Sequence, residues 1–335
     1  MTSKANKNFF KNFTPVLVRD KPLPGHTSSS TEIILISINV TGSRLVASRT
    51  DKSLRIWRCL PDRASDPIII EDAHTRSVEL VSWNPQTEHS FASVGRDEHI
   101  KIWKGLTGTL ERQIKVEKGL GQADGACLKI VAYSNDGKVL AVVDRDSTVL
   151  VYSVEQNYQK VAEFKIDEHI YDLKWFNYNH GYFVLALNDG TLPVYALEDE
   201  GWKISLKSTL TGHRSAATTV SVDPRGAFVA VGSNEGTLSI WNTATMLNTR
   251  VITGVDEAIA CVDASRDGTY ITASYDRGSN TRVFEVESGE EVYEVQNSAS
   301  GQLTFASVVW FPNKTAFAYS SDHGTTIALT KKPSS

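Results

Sequence analysis

Cysteine, methionine and long apolar runs are scarce in this chain, and each scarcity removes a class of explanation. The 335 residues include three cysteines and two methionines. Cys59, Cys127 and Cys261 lie far apart, are odd in number and form no C-x-x-C pair. That argues against a disulfide framework or a thiolate metal site and points to a reducing compartment. No apolar run approaches the length of a membrane span, and the opening MTSKANKNFFKNF alternates lysine with aromatics instead of presenting the apolar stretch of a signal peptide. The expectation is a cytosolic or nuclear protein without membrane contact. Excess positive charge is missing too: the formal net charge is -4, which repels a phosphate backbone. The local exception is the first stretch, where Lys4, Lys7, Lys11, Arg19 and Lys21 face Asp20 alone. So few charges give weak nonspecific affinity. Residues 1–13 therefore read as a flexible basic tail, and direct RNA binding as weak or absent.

What the chain does have is a repeat. Segments ending at Trp57, Trp103, Tyr152, Tyr195, Trp241, Phe284 and Leu329 share one design, at intervals of 46, 49, 43, 46, 43 and 45 residues. Within each copy apolar and polar residues alternate with period two, as in VELVSW, SFASVG and HIKIW, the mark of short half-buried strands. Turn signals recur at one place in the copy, at Asn84-Pro85, Asn135-Asp136-Gly137, Pro224-Arg225-Gly226, Asp267-Gly268 and Pro312-Asn313. Trp83, Trp175 and Trp310 end the strand before that turn, in register, and read as packing between neighbouring sheets. Four-stranded units at this period describe an all-β, seven-bladed propeller over residues 14–330, with 331–335 as a short tail. The last copy runs out after three strands. The alternating TPVLVRD, Thr14 to Asp20, is expected to supply the fourth, closing the ring and covering an open sheet edge.

The second copy raises a chemical question, because His74, Ser93 and Asp97 are the residue types of a hydrolytic triad within one short window. The copy ends resemble the WD40 repeat family, whose units carry Gly-His near the start and Trp-Asp near the end. Gly-His appears at Gly25-His26 and Gly212-His213, with Ala73-His74 in the second copy, and the tryptophan at Trp57, Trp103 and Trp241. An acid recurs six residues before the closing aromatic, at Asp51, Asp97, Asp146, Asp189 and Glu235, but Gly278 and His323 stand there in the last two copies. The resemblance implies a hydrogen-bonded chain of acid, histidine, hydroxyl and tryptophan, for which only the second copy has all four parts: His74, Ser93, Asp97 and Trp103. A closed chain satisfies each buried donor and acceptor in turn. Trp103 has no job in a triad, and no G-x-S-x-G turn surrounds Ser93. The four residues therefore read as a structural network, with no catalytic residue, cofactor or metal expected.

Other candidates are weaker. GLGQADG, Gly119 to Gly125, fits neither phosphate-loop pattern and reads as a connection between copies. Asp-Glu-His occurs at Asp97 to His99 and Asp167 to His169, but consecutive strand residues point to opposite faces and cannot converge on a metal. In WFNYNHGYF, Phe176 and Tyr178 fall at or beyond a strand end and are candidate exposed contacts for a partner.

Beyond the repeat, Val286 to Asp322, Glu168 to Tyr195, Val220 to Asn242 and Cys261 to Gly278 resemble the WD-repeat subunits of the THO complex, part of the TREX mRNA-export assembly. This resemblance implies a noncatalytic nuclear subunit docked on large helical scaffold proteins of that complex, connected through them to a DEAD-box RNA helicase and mRNA. The alternative is a peptide-recognition propeller of a ubiquitin-ligase or chromatin complex, since a propeller alone names no activity.

Overall fold

Alternation with period two and the absence of any sustained helical period produce strands throughout. The computed structural model describes residues 9–18, 23, 25, 31–60, 63–65, 67–117, 126–177, 181–198, 202–276, 280–295, 306–321 and 324–331, and among these there is no α-helix. None of the described residues forms a helix long and apolar enough to cross a membrane.

The strands make seven four-stranded antiparallel sheets, or blades. Blade 1 holds β2 (Ile33–Ile38), β3 (Arg44–Arg49), β4 (Leu54–Arg58) and β5 (Ile68–Ile70). Blade 2 holds β6 (Val78–Trp83), β7 (Ser90–Gly95), β8 (His99–Lys104) and β9 (Thr109–Lys115). Blade 3 holds β10 (Leu128–Tyr133), β11 (Val139–Asp144), β12 (Thr148–Ser153) and β13 (Gln159–Lys165). Blade 4 holds β14 (Ile170–Trp175), β15 (Tyr182–Leu187), β16 (Leu192–Glu198) and β17 (Lys203–Leu210). Blade 5 holds β18 (Ala217–Val222), β19 (Phe228–Ser233), β20 (Leu238–Asn242) and β21 (Asn248–Ile252). Blade 6 holds β22 (Ile259–Ala264), β23 (Tyr270–Tyr275), β24 (Arg282–Glu285) and β25 (Glu291–Glu294). Blade 7 is built from β26 (Val308–Trp310), β27 (Phe317–Ser321) and β28 (Thr326–Lys331), with β1 (Thr14–Val18) as its outer strand. The predicted closure is therefore present: Thr14 pairs with Lys331 and Val18 with Ile327, so the outer edge of β28 is covered by the other end of the chain.

The first strands of all seven blades line a central channel of about 480 Å³. Apolar side chains collect between the blades, with one buried cluster for each neighbouring pair. The tryptophans that end the first strands pack there as predicted, each against the phenylalanine paired with it across the sheet. Ring centroids lie 4.9 Å apart for Trp83 and Phe91, 5.1 Å for Trp175 and Phe183, and 5.0 Å for Trp310 and Phe317. Each pair fills space between its blade and the neighbouring one with a large apolar area.

One feature escapes a periodicity argument. In six blades the pairing of the first strand with the second skips one residue: Ile34, Glu79, Lys129, Tyr171, Thr218 or Ala260. A bulge re-aims the extra side chain out of the alternation.

The tail expected over residues 1–13 needs correction in its described part. Phe10 is fully buried and Phe13 nearly so, in the cluster between blades 6 and 7. A turn closed by Phe13 N–H donating to the carbonyl of Phe10 (3.0 Å) gathers the rings. Phe10 meets Tyr270 edge-on at 4.9 Å and stacks on Tyr293 at 5.6 Å. The burial of aromatic area outweighs the ordering of this short segment, while Lys11 points to solvent.

Candidate functional site

Three elements bring the second copy's polar residues together: the loop after β5 carries His74, β7 carries Ser93, and β8 with the turn before it carries Trp103 and Asp97. Trp103 Nε1–H donates to Ser93 Oγ at 2.8 Å. Ser93 Oγ–H donates to His74 Nε2, also at 2.8 Å, because the acceptor-only carboxylate of Asp97 holds the proton of the neutral imidazole at its other nitrogen. That imidazole proton sits on Nδ1 and is donated to Asp97, 3.0 Å from Oδ2. Asp97 also accepts from the backbone N–H of Thr75 (3.0 Å) and of His99 (3.0 Å). Burial lowers the His74 pKa, against the opposing bond to Asp97, so the ring is neutral at pH 7. Burial by itself raises the Asp97 carboxyl, but the bonds from His74, His99 and Thr75 outweigh it and hold the group well below the usual carboxylate range. Gly95 is what lets the ring in, since a Cβ there would stand 2.9 Å from His74 Cβ and Cγ.

The distances alone fit a triad. The surroundings do not: Ser93 is 0% exposed and His74 1%, so no substrate carbonyl reaches the hydroxyl. The chain of bonds joins the loop, the second strand and the third strand of one blade, which suits a fastener.

Blade 5 carries a shortened version that sequence reading missed. His213 Nε2 lies 2.6 Å from Ser239 Oγ, which accepts from Trp241 Nε1 at 2.8 Å. Ser93 pairs across the ladder with Lys101, and Val231 with Ser239. The hydroxyl has moved to the facing strand and still reaches both rings. A Ser two residues before the closing Trp was the available signal.

The recurring acid also needs correction. Asp51, Asp97 and Asp189 accept from the N–H two residues on, at 3.0, 3.0 and 2.9 Å. In blade 3 the turn is held by Asp144, which takes the N–H groups of Asp146 (2.9 Å) and Thr148 (2.8 Å). In blade 5 Ser233 Oγ takes those of Glu235 (3.3 Å) and Thr237 (3.0 Å). Asp146 and Glu235 are exposed. The same turn can be capped from two positions earlier, by Asp144 in blade 3 or by the hydroxyl of Ser233 in blade 5, so an acid six residues before the closing aromatic becomes dispensable.

Of the two candidate partner contacts, Phe176 does not behave as an exposed anchor. Phe176 is 5% exposed and packs between blades 4 and 5, because the chain turns back at the strand end and folds the ring onto Trp241 and its neighbours. Tyr178 lies outside the described residues, as does Gly119 to Gly125.

Polar groups in the channel have another task. The first strands present free N–H groups along their inner edge, and side chains of the preceding blade satisfy them. Ser82 Oγ accepts from Tyr133 N–H at 3.1 Å, Asp172 Oδ2 from Val220 at 2.9 Å, Ser221 Oγ from Ala264 at 3.1 Å, Asp263 Oδ2 from Trp310 at 2.6 Å and Ser307 Oγ from Ile36 at 3.0 Å. Burial pushes Asp263 up to about 6, against the bond from Trp310 and the charge of Lys174. Burial also pushes the Cys261 thiol up to about 11, so it is protonated and donates to the Val308 carbonyl at 3.3 Å. A protonated, hydrogen-bonded thiol is not an activated nucleophile. Among the described residues no group of three or more His, Cys, Asp or Glu is arranged to hold a metal.

The family model described as "WD domain, G-beta repeat" matches residues 204–242. That span starts in β17, the outer strand of blade 4, and ends with β20, so the sequence unit is offset from the blade by one strand, the same offset that β1 and β28 close. The chain is similar to THO complex subunit 3 of Arabidopsis thaliana, 26% identical over 86% of this chain and 85% of that protein. It is similar to WD repeat-containing protein AAC3 of Dictyostelium discoideum, 24% identical over 68% of this chain and 49% of that protein. Protein TEX1 of Saccharomyces cerevisiae is 22% identical over 71% of this chain and 58% of its own length. The chain thus resembles the WD40 repeat family.

Proposed function

We propose that this propeller is a noncatalytic interaction subunit of a THO-type nuclear complex that couples transcription to the packaging and export of mRNA. The single observation that carries this reading is the similarity to THO complex subunit 3, which runs through 86% of the chain and 85% of the relative and so spans the ring rather than one repeat. The physical features agree with it. Polar constellations are buried inside blades or stitched along the channel, which leaves a rigid disc whose surface can be shared between partners. The network of His74, Ser93, Asp97 and Trp103 braces that disc instead of reacting. In this reading the partners are large helical scaffold subunits, and contact with a DEAD-box RNA helicase and with mRNA is indirect.

Affinity purification of the full chain from nuclear extract, with identification of stoichiometric companions, tests this. Recovery of large helical THO subunits in equal amounts is the expected result. Recovery of ubiquitin-ligase or chromatin subunits in their place would overturn it.

A further inference from the structure

The bulges open a second site that the repeat motif does not contain. In the six bulged blades three positions meet at the face of the ring where the inner strands begin: the residue before the first strand, the bulged residue, and the residue after the second strand. The backbone ties the first and third together. Arg96 N–H donates to the Ser77 carbonyl at 3.2 Å, Arg145 to Cys127 at 2.8 Å and Asn188 to His169 at 3.0 Å. In blades 1, 5 and 6 the bulged residue is Ile34, Thr218 or Ala260 and carries no charge. In blades 2 and 3 it is Glu79 and Lys129, and beside them a pocket of about 300 Å³ is lined by Arg96, Arg145 and His169 as well.

The charges in this pocket do not balance. Glu79 is committed, with Oε1 accepting from Arg96 Nε at 2.8 Å and from Ser77 Oγ at 2.8 Å. Lys129 is half-buried and has no carboxylate within ion-pair distance among the described residues. Its ammonium donates to the neutral His169 Nε2 at 2.8 Å and lies 5.0 Å from the Tyr171 ring centroid. Burial lowers the pKa of Lys129, and burial followed by Lys129 and Arg145 lowers that of His169, so the imidazole stays an acceptor. Arg145 is exposed and makes no side-chain hydrogen bond or ion pair among the described residues. Three cations and one anion leave the pocket at about +2, in a cavity the size of a small ligand group. Glu79 and Asp172 attract the ammonium at longer range, but the groups it touches, His169 and the Ile170 carbonyl, are neutral, which leaves a place for an anion at the ammonium itself.

We propose that this pocket binds a phosphate monoester dianion carried by a protein segment, namely a phosphorylated serine or threonine side chain of a partner. A monoester carries up to two charges and matches the pocket, whereas a carboxylate or a phosphodiester carries one. The flanks favour an isolated phosphate over a polyanion: Asp97 and Glu98 follow Arg96, Asp144 and Asp146 border Arg145, and Asp167 and Glu168 precede His169. Lys129 and Arg145 would contact the phosphate directly, and His169 positions the ammonium. The proposal does not depend on membership of a THO-type assembly.

Fluorescence anisotropy on the purified full chain tests it, with three degenerate heptapeptide pools fixed at the centre as phosphoserine, serine or glutamate. The phosphoserine pool should bind at least about tenfold tighter than the other two, one charge-assisted contact being worth about that factor. Arg145→Gln should weaken it by about tenfold without moving the thermal midpoint, since that side chain is exposed. Lys129→Met, close in volume, should do the same. Inorganic phosphate should compete only at far higher concentration than the peptide. Equal binding of the serine or glutamate pool, indifference to Arg145→Gln, inorganic phosphate competing as well as the peptide, or a decauridylate displacing it more effectively would each overturn the assignment.

Discussion

His74 Nδ1–H donates to Asp97 Oδ2 at 3.0 Å, and because a carboxylate only accepts, that one bond decides the direction of every proton before it. The serine must donate to His74 and accept from Trp103 Nε1. Ser93→Ala leaves the indole N–H and His74 Nε2 without their buried partner, and should lower stability by about 1–3 kcal/mol. Asp97→Ala frees His74 and two backbone N–H groups and should cost at least as much. Urea denaturation of both variants measures this. Midpoints equal to wild type would remove the network from the energetics of the fold.

Acid should loosen the same network from two directions. The His74 pKa is lowered in the folded chain, so below pH 6.5 the unfolded state takes up a proton that the folded state refuses. Stability therefore falls as pH drops from 6.5. Asp97 is depressed as well, and its contribution is present above the ordinary carboxylate pKa and lost as pH falls through its lower folded value. His74→Gln should flatten the slope of unfolding free energy between pH 6.5 and 5 relative to wild type, with His169 and His213 titrating equally in both. An unchanged slope would mean that His74 charges freely in the folded state.

Gly95→Ala probes the space that admits the histidine. The new Cβ would meet His74 Cβ at 2.9 Å and the Ser77 carbonyl at 2.9 Å. Backbone on one side and a bonded ring on the other cannot both retreat, so overpacking of about 1–3 kcal/mol is expected. Thermal unfolding at neutral pH checks it, and a gain in midpoint would show the loop after β5 to be more compliant than its bonds imply.

The fold was legible because it rests on two short-range regularities. Period-two alternation announces strands, and the spacing of Trp57, Trp103, Tyr152, Tyr195, Trp241, Phe284 and Leu329 counts the blades. The network at His74 was legible for the same reason, as its parts sit at fixed offsets within one unit. What escaped was set by geometry that alternation does not encode. Phe176 looks terminal on paper, yet the chain reverses after Trp175 and buries its ring. The bulges at Glu79 and Lys129 break the alternation by one residue, so the pocket they open carries no periodic signal. Ser239 replaced the expected hydroxyl from across the ladder, a substitution visible only once the strands are paired. Phe10 and Phe13 were read by the lysines around them, although the two rings bury more surface than those charges can keep in water.

The ring should depend on its first residues more than a tail would allow. Phe10→Ala removes a fully buried ring from between blades 6 and 7 and should lower stability by about 3–5 kcal/mol. Deleting residues 1–18 goes further, because it uncovers the β28 edge that β1 pairs. Calorimetry should show a lowered midpoint for Phe10→Ala, and size-exclusion chromatography should show self-association for the deletion, as an open edge recruits another chain. A monomeric deletion variant with a wild-type midpoint would mean that the ring does not need its latch.

Asp263 should behave in the opposite sense from Asp97. Its folded pKa is about 6, above the ordinary carboxylate value of 3.8, chiefly because burial penalises the charge. Between those values the folded chain binds more protons than the unfolded chain, so this residue's contribution falls as pH rises and is a standing penalty above about pH 6. Asn in its place keeps an oxygen for the Trp310 N–H and a polar group for Ser221 without the charge. Asp263→Asn should therefore be more stable than wild type at pH 8, with the gap closing towards pH 4.5. Lys174 is the competing influence: burial opposes its charge, and Asp172, Cys261 and Asp263 together keep its pKa raised. Asp172 remains beside it at 3.4 Å in the variant, so the ammonium is not left alone. Denaturation curves at the two pH values decide between them, since a variant weaker than wild type at pH 8 would show that the lysine's need for the second carboxylate exceeds the cost of burying it.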